Sequence, residues 1–187
     1  MSGVRPGLAG ALLLWGSCTG LAGCATAAPG VAPAPTTAVA QACAAATECK
    51  PDEFCAVQQC AQVLPRAYVL TVEKAKLSPY DSNGNPWDKD GDGDPVVVVT
   101  AGGKEVCRST PAKDQLDVAL ALACPIALDA TTEVRFTLGD DDGGGTVQEG
   151  MVKLVSGADL VPAVRLGFGE QQDALGYVRF RVGVAPP

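Results

Sequence analysis

From Arg66 onward, segment after segment carries apolar residues at every second position or in short apolar runs. "AYVLTVEKAKL", "PVVVVTA", "EVRFTLG" and "YVRFRVGVA" are the clearest. A period of two sends one face of an extended chain into a core and the other toward water, so these segments read as strands. "KEVCRST", "QLDVALALAC", "GMVKLV" and "AVRLGFG" add shorter candidates. Leu, Ala and Asp would also let "QLDVALALAC" form a helix, but its neighbours favour strand. Eight strands separated by turn-rich segments predict an all-β fold, an eight-stranded antiparallel β-sandwich over 66–185.

What precedes this domain reads differently. Residues 1–23 look like an export signal: Arg5 gives a thin positive end and "GLAGALLLWG" a short apolar core. That core falls short of the ~20 apolar residues a spanning helix needs. "LAGC", Leu21 to Cys24, follows directly and resembles the lipobox of bacterial lipoproteins. The resemblance implies cleavage before Cys24 and lipid on its sulfur and new amino group. It thus implies export and a membrane anchor in the bacterial cell envelope, at the outer membrane rather than the inner. Ordinary signal cleavage at the small residues of "CATAA" is the alternative. Segment 24–42 is then a linker of Ala, Pro, Thr and other small residues, a composition that builds no core and acts as a spacer.

Eight cysteines less Cys18 in the signal and Cys24 at the lipobox leave an even six. In an oxidising compartment the expectation is three disulfides among Cys43, Cys49, Cys55, Cys60, Cys107 and Cys124. Zinc is the competing use, but no Cys-x-x-Cys pair is present. The first four cysteines define a mini-module over 43–62 with too few apolar residues to hold itself otherwise, its connectivity open. A stiffened spacer and a binding module both fit it. Cys107 and Cys124 fall where one cross-strand or inter-sheet bridge is expected.

The formal charge is −7, and Asp81, Asp88, Asp90, Asp92, Asp94, Asp140, Asp141 and Asp142 supply eight of the 21 acids. The acidity therefore belongs to two short segments. With no basic stripe, nucleic acid is not an expected partner. The chain has no histidine, which removes the commonest general base and the commonest metal ligand. Its serines lack an elbow motif, and a small sandwich offers no cleft for a glycosidase's paired carboxylates. The chain is expected not to be an enzyme.

The two acidic segments are "DKDGDGDP" (88 to 95) and "DDDGGG" (140 to 145). Hard cations such as calcium take six to eight oxygen ligands, and aspartates spaced by glycines on tight loops converge well on one point. Two such loops at one end of a sandwich would form a cup for calcium. Packed together without a cation, they would repel. An EF-hand opens with the pattern of Asp88, Asp90, Asp92 and Gly93, but its twelfth position is Val99 and its flanks are strands, so that motif is excluded.

At this point segment 66–185 resembles the C2 domain, a calcium- and phospholipid-binding β-sandwich. "LTVEKAKL" precedes the first acidic loop and "DPVVVV" follows it, with Val96 where the family has tyrosine. "FTLGDDD" matches the family's strand running into aspartate-x-aspartate, Gly150 the following glycine, and "GYVRFRV" the closing strand. The resemblance implies metal ligation by Asp88, Asp94, Asp140 and Asp142, with Asp81 a rival to Asp88 for the first role. Val147 stands where the family has a further aspartate. A phospholipid or protein partner at the acidic loops is implied, with Trp87 the one residue of the first loop able to enter an interface. Trp87 as a cap on the sandwich edge is the alternative. Two functions remain in view: an envelope-tethered, calcium-binding binding or adhesion module, and a structural lipoprotein whose aspartates are solvated turns.

Overall fold

The computed structural model describes residues 40–89, 91–143 and 145–186. The signal, the lipobox with Cys24 and most of the linker lie outside the described residues. The sandwich has eight strands: β3 (Arg66–Leu77), β4 (Pro95–Ala101), β5 (Lys104–Arg108), β6 (Asp117–Leu128), β7 (Glu133–Asp141), β8 (Val147–Ser156), β9 (Phe168–Gln172) and β10 (Gly176–Val184). They form two four-stranded sheets, ordered β6-β3-β10-β9 and β5-β4-β7-β8. Every pairing in them is antiparallel. The expected architecture is thus present, and "QLDVALALAC" is a strand, as its neighbours required.

The core follows the alternation. Tyr68, Leu70 and Val72 point inward from β3, and then the parity jumps to Ala75 and Leu77. The jump coincides with a register shift against β6 between Val72 and Lys74, the mark of a β-bulge. In β4 four consecutive valines, Val96 to Val99, are buried, so that strand is covered on both faces. Phe136 of β7 and Phe180 of β10 stack across the two sheets with ring centroids 5.0 Å apart.

One expected strand is different. Within "AVRLGFG" only the end is extended. Val161–Leu166 form a short helix, α1, with a proline in its first turn and Gly167 closing it at φ 77. Proline's fixed φ suits a first turn, and glycine takes a left-handed C-cap without steric cost. Ala163 and Val164 are the buried face, and β9 starts only at Phe168.

All six expected cysteines are bridged. Cys43–Cys55 and Cys49–Cys60 interleave around a hairpin of β1 (Glu53–Ala56) and β2 (Gln59–Gln62). Cys107–Cys124 joins β5 to β6, the two sheet edges between which the chain crosses. The hairpin module is fastened to the sandwich. Phe54 and Val63 belong to the common core. The Tyr68 hydroxyl donates to the Val63 carbonyl at 2.5 Å, and Arg165 on α1 donates to the carbonyls of Ala46 (2.9 Å) and Pro51 (3.3 Å). Direction follows from connectivity. β3 leaves the module and runs to the first acidic loop, while β8 leaves the second acidic loop and runs to α1. The module and the acidic loops therefore occupy opposite ends.

Candidate metal centre

The register of the second sheet brings the two acidic segments together. Pro95, first in β4, pairs with Asp140 near the end of β7. Asp94 therefore lies beside Asp140 and is tied to the end of β7 twice. Its backbone N–H donates to Asp140 Oδ1, and its carbonyl accepts from the Asp141 N–H at 3.2 Å. Gly93 sits against this contact: a Cβ there would lie 3.0 Å from Asp140 Oδ1.

Two sets of three carboxylates converge, Asp88 with Asp140 and Asp142, and Asp88 with Asp94 and Asp114. In each set the ligating oxygens lie within 4.8 Å of one another. That is the widest span between two oxygens bound to one calcium at ~2.4 Å, so the donor spacing fits the ion. Asp140 has 0% exposure, and its Oδ2 is enclosed without a hydrogen-bond partner. Burying a carboxylate oxygen that nothing satisfies is costly, and either a proton or a cation would satisfy it. Among the described residues the donors fit calcium.

The electrostatics agree. The Asp140 carboxyl is raised above the ordinary carboxylate range, chiefly by burial. The Asp94 N–H opposes that rise, and the charges of Asp88, Asp142 and Asp94 add to it. Asp88 is raised as well, by desolvation first and then by Asp94, Asp142 and Asp114.

Four of the five expected ligands, Asp88, Asp94, Asp140 and Asp142, are thus brought together, and Asp81 is not. Its Oδ1 accepts the backbone N–H groups of Asn83 and Asn85, each at 2.8 Å, closing the "DSNGN" turn on itself. Those hydrogen bonds, Asn85 foremost, hold its carboxyl below the ordinary range. Glu149 is also directed elsewhere, to Arg135. Trp87 is not at a loop tip. It is 8% exposed, and its indole N–H donates to the Ser78 carbonyl at 2.6 Å, so the edge-capping placement is the one observed.

Asp114 was not anticipated. It belongs to the loop between β5 and β6, and that loop is zipped along the start of β4. Ser109 N–H donates to the Val97 carbonyl (2.9 Å), Ala112 N–H to the Pro95 carbonyl (3.2 Å) and Asp114 N–H to Asp94 Oδ1 (2.8 Å).

No protein-family model and no curated protein sequence matches the chain. Solved structures do. One described as a C2 domain is 13% identical, spanning 64% of this chain and 98% of its own, with a TM-score of 0.47. A C2 domain of plant extended synaptotagmin 1 is 12% identical over 63% of this chain and 92% of its own, with a TM-score of 0.47. A C2 domain protein from Ramazzottius varieornatus is 14% identical over 64% and 89%, with a TM-score of 0.39. The chain is similar to C2 domains.

Proposed function

We propose that this protein is a calcium-dependent binding module of C2-like form, held at the bacterial cell envelope by lipid on Cys24 and without catalytic activity. The observation that supports it most is the Asp140 carboxylate, fully enclosed, with one oxygen satisfied by the Asp94 N–H and the other by nothing. A solvated turn does not bury its aspartate. A cation at Asp88, Asp94, Asp140 and Asp142 would neutralise the cup and leave coordination positions open to an anionic partner, a phospholipid headgroup or a protein carboxylate. The protein residues themselves hold and orient that ion.

The placement of the ends suits a tether. The linker joins the cysteine module, where Ala42 bridges to Gln59, and the acidic loops lie at the far end of the sandwich. A site at that end would be presented away from the point of attachment.

Thermal melts with chelator and with millimolar calcium test the cation. Calcium at 100 times its dissociation constant would stabilise by about 2.7 kcal/mol, a rise of roughly 5–10 °C for a domain of this size. That rise should vanish in the double variant Asp94→Asn, Asp140→Asn. An unchanged melting temperature in the parent protein would remove calcium from the reading. Anchoring is tested separately: Cys24→Ala should shift the protein from the detergent-extracted membrane fraction to the soluble one.

A further inference from the structure

We infer that β6 is a docking edge for a second copy of this chain, the two β6 strands pairing antiparallel across a two-fold axis at Ala121. Four strands lie at the sheet edges, β6 and β9 in one sheet and β5 and β8 in the other. An edge strand offers unpaired backbone N–H and C=O groups, and charge or short length is the usual protection against pairing there. β5 carries Lys104, Glu105 and Arg108, and β8 carries Glu149 and Lys153. β9 is 5 residues long and holds Glu170. β6 runs for 12 residues, and after Asp117 it has no charged residue up to Leu128. Asp117 itself is paired with Lys74 at 3.0 Å. Pro125, which lacks an N–H, guards only the far end of the strand. Among the described residues β3 is the one strand that pairs with β6.

The sequence of the edge says what fits it. "VALALAC", Val118 to Cys124, reads nearly alike in both directions about Ala121. In an antiparallel pair, residues directly opposite one another share a face of the sheet. A two-fold axis at Ala121 therefore sets Ala119 against Ala123 of the second copy on the outer face. On the inner face it sets Leu120 against Leu122, and Val118 against Cys124. The outer alanines are exposed and small, so nothing on that face obstructs a neighbouring strand. Leu120 and Leu122 have the inward parity but are only half-buried, packed at the margin of the core. The leucines of a second copy would close that margin, which a polar strand would not. No like charges meet in this pairing, because Asp117 falls opposite Pro125. The Cys107–Cys124 bridge pins the strand, so the edge is presented already formed. Joined in this way, two four-stranded sheets run on as one of eight strands through a self-complementary contact.

Sedimentation equilibrium of the purified protein in density-matched detergent, at rising concentration, reads the association. The parent should pass from monomer to dimer. Ala121→Glu places two carboxylates face to face on the axis and should raise the dimer dissociation constant about tenfold or more, and Ala121→Lys should do the same. Mixing these two variants should restore the dimer, because opposite charges then meet. Ala121 is exposed in the single chain, so both variants should melt like the parent at the lowest concentration, where all are monomers. A parent that stays monomeric overturns the inference and leaves the edge to a strand of another protein. Dimers that neither charge weakens, or that mixing does not restore, also overturn it, since association would then run through another surface.

Discussion

The backbone N–H of Asp94 donates to the Asp140 carboxylate across 46 positions of sequence. This one contact couples the folding of the sandwich to the charge of the cup, because the acceptor is a buried group whose proton affinity is raised by its surroundings. Asp140 is raised chiefly by burial, and Asp88 by desolvation and its acidic neighbours. A carboxyl that holds its proton more tightly in the folded chain than in the unfolded one gives a folded state that binds more protons. Stability then falls as pH rises from the ordinary carboxylate pKa of about 3.9 to the raised value. Calcium-free protein should therefore lose stability as the pH rises above the ordinary carboxylate range, and Asp140→Asn should flatten that slope. Saturating calcium stabilises the ionised form, so its stabilising effect should shrink as the pH drops. Asp81, Asp129 and Asp159 are lowered and lose their contribution at more acid pH, so the comparison is made above the ordinary range. Calcium-free melts that stay flat, or rise, as the pH climbs above that range would contradict this account.

The Cys107–Cys124 bridge closes the edge where the chain passes from one sheet to the other, with Cα atoms 5.2 Å apart. It encloses a loop of 17 residues, for which chain-entropy estimates give about 3 kcal/mol. That loop also carries Asp114. Replacing both cysteines by serine should lower the melting temperature by roughly 6–12 °C. It should also weaken calcium binding, because the loop is held against the cup by the Asp114 N–H to Asp94 Oδ1. Melts and calcium titration of the double variant read both effects.

The strands were legible because a two-residue period has few other causes, and even the β3 bulge shows in the sequence as the three-residue step from Val72 to Ala75. The short helix was less so. "VPAVRL" is six residues long, too short for a helical period to declare itself, and only Pro162 and Gly167 punctuate it. In the candidate site, glycines and clustered acids made the two acidic segments visible in the chain, and the resemblance to C2 domains singled out Asp88, Asp94, Asp140 and Asp142. It could not separate Asp81, whose carboxylate is consumed by its own Asn-Gly turn. It could not find Asp114 either. A lone acid in "PAKDQ" acquires meaning only from the register that lays its loop along β4.

Trp87 supplies a spectroscopic handle. The chain has two tryptophans, and the other, Trp15, lies outside the described residues, in the segment expected to be an export signal. A Cβ on Gly93 would be 3.0 Å from both the Trp87 Cβ and Asp140 Oδ1, so the indole stands close behind the cup. Excitation of Trp87 should sensitise terbium bound in place of calcium, and calcium should displace the signal. Trp87→Phe should abolish it while leaving calcium binding intact. It should also cost about 1–3 kcal/mol, because the Ser78 carbonyl loses the indole donor. A terbium signal in the wild type that calcium leaves unchanged would place the metal elsewhere.

Gly93 gives the sharpest test of the spacing between the loops. It is buried and does not need a left-handed backbone, so alanine is excluded there by space alone. The added Cβ would press on Trp87, held by its hydrogen bond to Ser78, and on Asp140, held in the ladder opposite Pro95. Neither can turn away, so the first loop must lift and the Asp94 N–H must leave Asp140. Overpacking of this kind costs about 1–3 kcal/mol. Gly93→Ala should therefore melt lower in chelator and bind calcium more weakly at the Asp140 position. Gly91→Ala is the contrasting variant: its Cβ meets the end of the Asp114 side chain, on an exposed residue free to rotate. It should keep the chelated melting temperature and weaken calcium binding less than Gly93→Ala does. Equal losses in both variants, or none in Gly93→Ala, would mean that the Asp94–Asp140 contact does not set the geometry of the cup.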